Sequence, residues 1–162
     1  MFDQSIIKLA SELLEKCRAT NLKIATAESC TGGMIAAALT EIAGSSDVVE
    51  RGFVTYSNDA KMQMLGVSAK SLDLFGAVSE AVAKEMAYGA LVNSMADISV
   101  AVTGVAGPGG GTALKPVGTV WIAVCMLGQG PEAICMNYGD IGRENVRFET
   151  VKTALRMMLE RV

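Results

Sequence analysis

Apolar residues recur every three or four positions near the start of the chain. Ile6, Ile7, Ala10, Leu13, Leu14 and Cys17 share one face of a helix that Asp3 can cap and Asn21 ends. Lys23-Ile24-Ala25-Thr26-Ala27 is short and partly β-branched, the pattern of a buried strand. Met34 to Leu39 opens an Ala-rich helix that stops near Gly44-Ser45-Ser46. A second strand follows at Val48 to Tyr56. Asn58-Asp59 then caps a short helix carrying Lys61, Met62 and Leu65, closed by Gly66. Residues 67–78 hold another short helix between loops. Ser79 caps a long helix to about Met95, with Val82, Met86 and Ala90 on one side. Ile98 to Thr103 is a third strand, followed by a glycine-rich loop, Gly104 to Gly111. Val117 to Leu127 and Glu132 to Tyr138 form a hairpin about Gly128-Gln129-Gly130-Pro131. The last helix spans about Arg143 to Arg161, burying Val151, Ala154, Leu155, Met158, Leu159 and Val162.

Helices and strands mostly alternate, and one hairpin breaks the alternation. The expected fold is therefore an α/β class, three-layer α/β/α domain with a mixed sheet of about five strands. No repeat, linker or low-complexity tail interrupts it, so one domain is expected to fill residues 1–162.

Composition narrows the function. With 51% hydrophobic and 19% charged residues the chain is an ordinary apolar globular protein. A net charge of −3 with no basic run argues against nucleic acid as the main ligand, because such binding rests on neutralising phosphates. A small anionic ligand needs only one or two local cations. No apolar run reaches membrane-spanning length, and Met1-Phe2-Asp3-Gln4 lacks the basic start of a signal peptide. Cys17, Cys30, Cys125 and Cys135 are scattered, so a cytoplasmic location with reduced thiols is expected. Histidine is absent altogether. That removes Ser-His and Cys-His dyads and histidine-based metal sites, and leaves Lys, Asp, Glu or Tyr as the only bases.

The stretch that organises the chain is Glu28-Ser29-Cys30-Thr31-Gly32-Gly33, where a strand turns into a helix. Free backbone N–H groups at that helix start would make a mouth for an anion or oxyanion. The plain alternative is that Ser29 or Thr31 is a helix cap and the glycines serve packing. Cys30 reads as a small packing residue first and a reactive thiol second. Tyr56-Ser57-Asn58-Asp59-Ala60-Lys61 leads from a strand end into a helix, on the edge where α/β domains bind ligands. A lysine near a helix start, partly buried, has a lowered pKa and can serve as a base for a serine, with a tyrosine relaying the proton. Alternatively Lys61 is a solvated lysine pairing with Asp59 or Glu50. Thr103 to Gly111 fits neither a Walker A loop nor a dinucleotide fingerprint; its N–H groups could hold a phosphate or amide, or it is a connector. Arg143, opening the last helix, faces an anion or pairs with Asp140.

Several of these motifs occur together and in order along nearly the whole chain. They are Ala27-Glu28-Ser29-Cys30-Thr31-Gly32-Gly33, Tyr56-Ser57-Asn58 with Lys61 and Leu65-Gly66-Val67, Gly76-Ala77-Val78-Ser79, Thr103-Gly104-Val105-Ala106-Gly107-Pro108, and Lys115-Pro116-Val117-Gly118. In this the chain resembles the CinA C-terminal domain family, the PncC-type nicotinamide-nucleotide amidases. The resemblance implies a three-layer fold with a mixed five-stranded sheet. It implies hydrolysis of nicotinamide mononucleotide to nicotinate mononucleotide and ammonia, without metal or other cofactor. Carried over by motif, Ser29 is the nucleophile, and Lys61 and Tyr56 activate it. Glu28, Thr31, Gly32, Gly33, Thr103, Gly104 and Arg143 are the expected substrate-binding positions. The family commonly writes Gly-Asp-Arg contiguously before the last helix, whereas Ile141-Gly142 here separate Asp140 from Arg143. The expected partner is a small nucleotide substrate, with no membrane, in a homo-oligomer, a dimer in the first instance. The competing class is a non-catalytic nucleotide-binding module with a regulatory or partner-binding role.

Overall fold

A computed structural model describes residues 2–162; Met1, counted in the expected domain and in the reading of the chain start, lies outside them. Six helices and five strands follow one another in the described residues: α1 (Gln4–Ala19), β1 (Ile24–Glu28), α2 (Met34–Thr40), β2 (Val49–Val54), α3 (Asn58–Leu65), α4 (Ala69–Phe75), α5 (Glu80–Val92), β3 (Ile98–Gly104), β4 (Thr119–Met126), β5 (Glu132–Asn137) and α6 (Arg143–Leu159). The strands form one mixed sheet in the order β2-β1-β3-β4-β5. β1 lies between β2 and β3 and is parallel to both, while β4 runs antiparallel to β3 and to β5. The carboxyl ends of β1, β2, β3 and β5 therefore emerge on one edge. The expected α/β class and mixed five-stranded sheet are borne out.

Period-two alternation sorts side chains between the two faces of the sheet. Ile24, Val100, Val102, Val120, Ile122 and Val124 join the core beneath α1, α2 and α6. Ala25, Ala27, Ala101, Ala123 and Cys125 face the other way, toward α5. Large aliphatics thus fill one interface and small residues the other. α5 lies close on its side: a Cβ at Gly89 would meet the Leu65 carbonyl oxygen at 1.9 Å. Ile6, Ala10, Leu13, Leu14 and Cys17 of α1 are buried as the periodicity predicts. Among the described residues no helix is long and apolar enough to cross a membrane.

Element boundaries differ from the pattern where side chains take over backbone bonds. α5 stops at Val92 rather than near Met95, because Asn93 Nδ2 and Ser94 Oγ donate back to the carbonyls of Gly89 and Ala90. α2 stops at Thr40, ahead of Gly44, which has φ +79°. The cap of α3 is Ser57, not Asn58-Asp59: its hydroxyl accepts from Ala60 N–H at 3.0 Å.

Candidate active site

Ser29 stands directly after β1, between its two parallel neighbours. Its N–H donates to the Val102 carbonyl of β3, and the Glu28 carbonyl beside it accepts from Thr55 N–H past the end of β2. The turn at residues 29–33 then reverses the chain into α2. Gly32 has φ +58° and Gly33 φ +101°, conformations that side chains rarely adopt.

The helix start is not the open mouth that the sequence suggests. Glu28 is fully buried and its carboxylate fills that position. Oε2 accepts from Thr31 Oγ1 at 2.6 Å, Gly33 N–H at 3.1 Å and Ile35 N–H at 2.9 Å, and Oε1 accepts from Ala36 N–H at 2.9 Å. Met34 N–H donates to the Thr31 carbonyl. Glu28 and Thr31, expected to touch substrate, are instead enclosed and committed to each other. Cys30 N–H, next to Ser29, makes no hydrogen bond among the described residues.

Lys61 is the fourth residue of α3, and side chains of a helix lean toward its N-terminus. That lean carries the amine back to the ends of β1 and β2. Nζ lies 3.0 Å from Ser29 Oγ and 3.0 Å from the Thr55 carbonyl oxygen. The residue is only 1% exposed and makes no ion pair among the described residues, so the solvated alternative fails. Glu50, its suggested partner, pairs with Arg51. α3 is pinned at its far end too, since Gly66 N–H and Val67 N–H donate to the carbonyls of Met62 and Lys61.

Burial pushes the Lys61 amine below the ordinary lysine range. A Cys30 anion would oppose this, but burial pushes that thiol up to about 12, so it is still protonated where the lysine titrates. Burial is therefore the dominant cause. The same protonation leaves Cys30 a packing residue, 5% exposed.

Tyr56 reaches the same edge but not the serine. It is 62% exposed, and its hydroxyl accepts from Arg143 Nη2 at 2.9 Å, not from Ser29 or Lys61. Arg143 begins α6 despite the inserted Ile141-Gly142, and its Nη1 donates to the Gly107 carbonyl at 2.9 Å. The glycine-rich loop thus contributes an acceptor to the arginine, and Asp140 is not the partner. Thr103 is 1% exposed, and its hydroxyl donates to the Ala77 carbonyl at 2.8 Å. It ties the segment before α5 to the end of β3, which the expectation of a substrate contact did not foresee. Gly104 sits where a Cβ would meet Val120 Cγ2 at 2.6 Å, so its smallness serves sheet packing.

Arg147 had no sequence signal beyond lying one turn after Arg143. Its Nη2 donates to the Thr31 carbonyl at 2.9 Å, while its buried Nε has no partner among the described residues. A hollow of about 300 Å³ lies beside it, lined by Gly32, Gly33, Met34, Ala37, Arg147 and Phe148 with Phe2. Among the described residues, no three or more cysteine, aspartate and glutamate side chains converge as a metal site would require.

Comparison with known proteins gives consistent results. The family model for the CinA C-terminal domain matches residues 6–162. A CinA-like protein of Colwellia psychrerythraea is 59% identical over 115 residues, covering 71% of this chain but only 27% of that protein. A protein of Enterobacter agglomerans named nicotinamide-nucleotide amidohydrolase PncC is 45% identical over 165 residues, covering 99% of both chains. The crystal structure of a competence/damage inducible protein, CihA, from Agrobacterium tumefaciens superposes with a TM-score of 0.97 at 54% identity, covering 99% of this chain and 97% of that one.

Proposed function

The chain belongs to the CinA C-terminal domain family, and we propose that it acts there as an amidohydrolase. Its substrate is nicotinamide mononucleotide, and its products are nicotinate mononucleotide and ammonia. The relative matched over its full length carries the name of that activity. The observation that carries the reading is the 3.0 Å contact between a buried lysine and a half-buried serine at a strand end. We read residues 1–162 as one such amidase domain, working in the cytoplasm as a homodimer.

Ser29 Oγ attacks the carboxamide carbon while neutral Lys61 takes its proton. The carbonyl π pair moves onto oxygen, and Cys30 N–H, the free donor nearest the nucleophile, holds that oxyanion. Collapse breaks the C–N bond, and the Lys61 ammonium returns the proton to the departing ammonia. An acyl ester remains on Ser29. Lys61 then takes a proton from water as that water attacks the ester carbon. The C–Oγ bond breaks, the proton passes to Ser29, and nicotinate mononucleotide leaves as a carboxylate once its carboxyl proton is lost to solvent, where the released ammonia takes it up. The Thr55 carbonyl orients the amine through both steps. Arg143, braced by Tyr56 and Gly107, offers its charge to the substrate phosphate. Tyr56 acts by holding that arginine rather than by relaying the serine proton.

Purified protein incubated with nicotinamide mononucleotide should release one ammonia per nicotinate mononucleotide formed. Ser29→Ala should abolish release while binding substrate within a few-fold of wild type, because the hydroxyl contributes to the reaction path more than to ground-state binding. Binding without turnover by the wild type would favour the regulatory module instead.

A further inference from the structure

We infer that Glu28 is a positioning residue for the nucleophile turn, acting through hydrogen bonds beneath the site and never touching substrate. The inference rests on the amidase reading. Four donors converge on one buried carboxylate, from Thr31, Gly33, Ile35 and Ala36. Between them they include the hydroxyl and backbone of the turn and the second and third N–H groups of α2. Three consequences follow for the chemistry above it.

First, the Gly33, Ile35 and Ala36 N–H groups, which would otherwise compete for an oxyanion, are used up. Cys30 N–H, with Thr31 N–H one residue further on, is left as a donor beside Ser29 among the described residues, so the developing charge is directed to that end of the turn. Second, the carboxylate ties Gly33, a residue with φ +101°, to the strand that carries Ser29. The turn cannot relax outward without giving up those bonds, three of which are to one oxygen. Third, the clamp works from below while Arg147 grips the Thr31 carbonyl from α6, so the turn is held on two sides. Lys61 Nζ is fixed independently by Thr55, which means that the serine, not the base, is what Glu28 aligns.

Close approach of α2 to the sheet makes the clamp possible. A Cβ at Gly52 of β2 would meet Thr26 Oγ1 at 2.9 Å and Ala36 Cβ at 3.3 Å. The absence of that carbon lets α2 settle low enough for Ala36 N–H to reach the carboxylate.

Glu28→Gln is the main test. A glutamine keeps the length but offers one acceptor oxygen, so an NH₂ must face a donor that Glu28 satisfies. We expect kcat on nicotinamide mononucleotide to fall about 10²-fold, the order that a displacement of about 1 Å costs, with KM within about three-fold. A small fluorophosphonate that labels Ser29 should react more slowly by a similar factor, because it uses the same serine and oxyanion donor. Thr31→Val keeps the carboxylate and removes one donor; it should give a smaller loss of the same kind with the fold intact. A role in stability alone would lower the melting temperature and leave the labelling rate of the folded protein unchanged, and that result overturns the inference. So does a Glu28→Gln enzyme with kcat within two-fold of wild type, or a wild type whose Ser29 does not label. If wild-type protein labels but releases no ammonia, the amidase reading fails, and the labelling rates still decide the role of Glu28.

Discussion

Lys61→Met should make the protein more stable and nearly inactive. Lys61 is 1% exposed, with two acceptors, Ser29 Oγ and the Thr55 carbonyl, and no carboxylate partner among the described residues. Methionine fills similar space without an amine to desolvate. Removing the amine leaves the Thr55 carbonyl and the serine without their donor, at a cost of about 1–3 kcal/mol. Replacing buried ionic groups by apolar ones of similar volume ranges from neutral to a stabilisation of about 1–4 kcal/mol. Ser29 is half-buried and can turn its hydroxyl to water, which keeps the cost near its lower end, and a net gain of about 1 kcal/mol corresponds to roughly 2–4 °C in melting temperature for a domain of this size. The gain depends on pH with a definite sign. Burial lowers the folded-state pKa beneath the unfolded value of about 10.4. Between the two, the unfolded chain binds more protons than the folded one, so wild-type stability rises with pH across that window. The advantage of the methionine variant is therefore full below the folded-state pKa and shrinks as pH climbs toward about 10.4. Turnover should drop by about 10²–10⁴-fold, the share of a positioned base. Lys61→Arg should be almost as damaging, since a guanidinium cannot accept the serine proton. Thermal unfolding of wild type and Lys61→Met from neutral pH to about 10.5, with ammonia release on the same samples, is the assay. A methionine variant that melts several degrees lower at neutral pH, or a stability difference flat in pH, would refute the argument.

Other outcomes follow from the same geometry. Wild-type kcat/KM should rise with pH through an apparent pKa well below that of free lysine, and single-turnover rates of Lys61→Arg should lack that limb. Cys30→Ala should keep turnover within a few-fold and cost about 1 kcal/mol of stability as a small cavity opens; complete loss with the fold intact would make the thiol the nucleophile. Tyr56→Phe and Arg143→Lys should each raise KM, and the double variant should be little worse than the poorer single one, because both remove the one 2.9 Å bond between them. Additive losses in a double-mutant cycle would show that Tyr56 acts elsewhere, as a relay would require.

Much of the fold was legible because the alternation of apolar residues changes period cleanly along the chain. The helix over residues 4–19, the hairpin and the three parallel strands need no tertiary information. Ser29 and Lys61 were legible as a pair because histidine is missing and because both follow strand ends that share an edge. The sequence does not say which groups at that edge spend their hydrogen bonds internally. Glu28, Thr31 and Thr103 carry the same polar atoms whether they face a ligand or one another, and only the register of strands and turns decides. Arg147 was hidden for a related reason: its contact with Thr31 joins residues 116 positions apart. The strand end puts Tyr56 on the right edge, but its choice of Arg143 over Ser29 depends on where α6 begins, which the inserted Ile141-Gly142 obscures.

The small-residue character of the chain has a chemical consequence through that same turn. A lysine can serve as base at neutral pH only if it is dry, and a dry amine needs neighbours that approach closely without bringing a carboxylate near. Ala25, Ala27, Ala83 and Ala87 fill the layer on the α5 side, while Gly89 lets α5 meet the Leu65 carbonyl at the end of α3, the helix that bears Lys61. On the opposite face Gly52 and Ala36 let α2 descend until its N–H groups meet Glu28. Bound to four donors beneath the turn, the Glu28 carboxylate is occupied, and Lys61 is left with a hydroxyl and a carbonyl. Neither of these carries a full charge, so neither restores the ordinary pKa that burial removes. Close packing by alanine and glycine thus goes together with two features at one strand end, a Lys61 amine 1% exposed and a Glu28 carboxylate held by four donors of its own turn and helix.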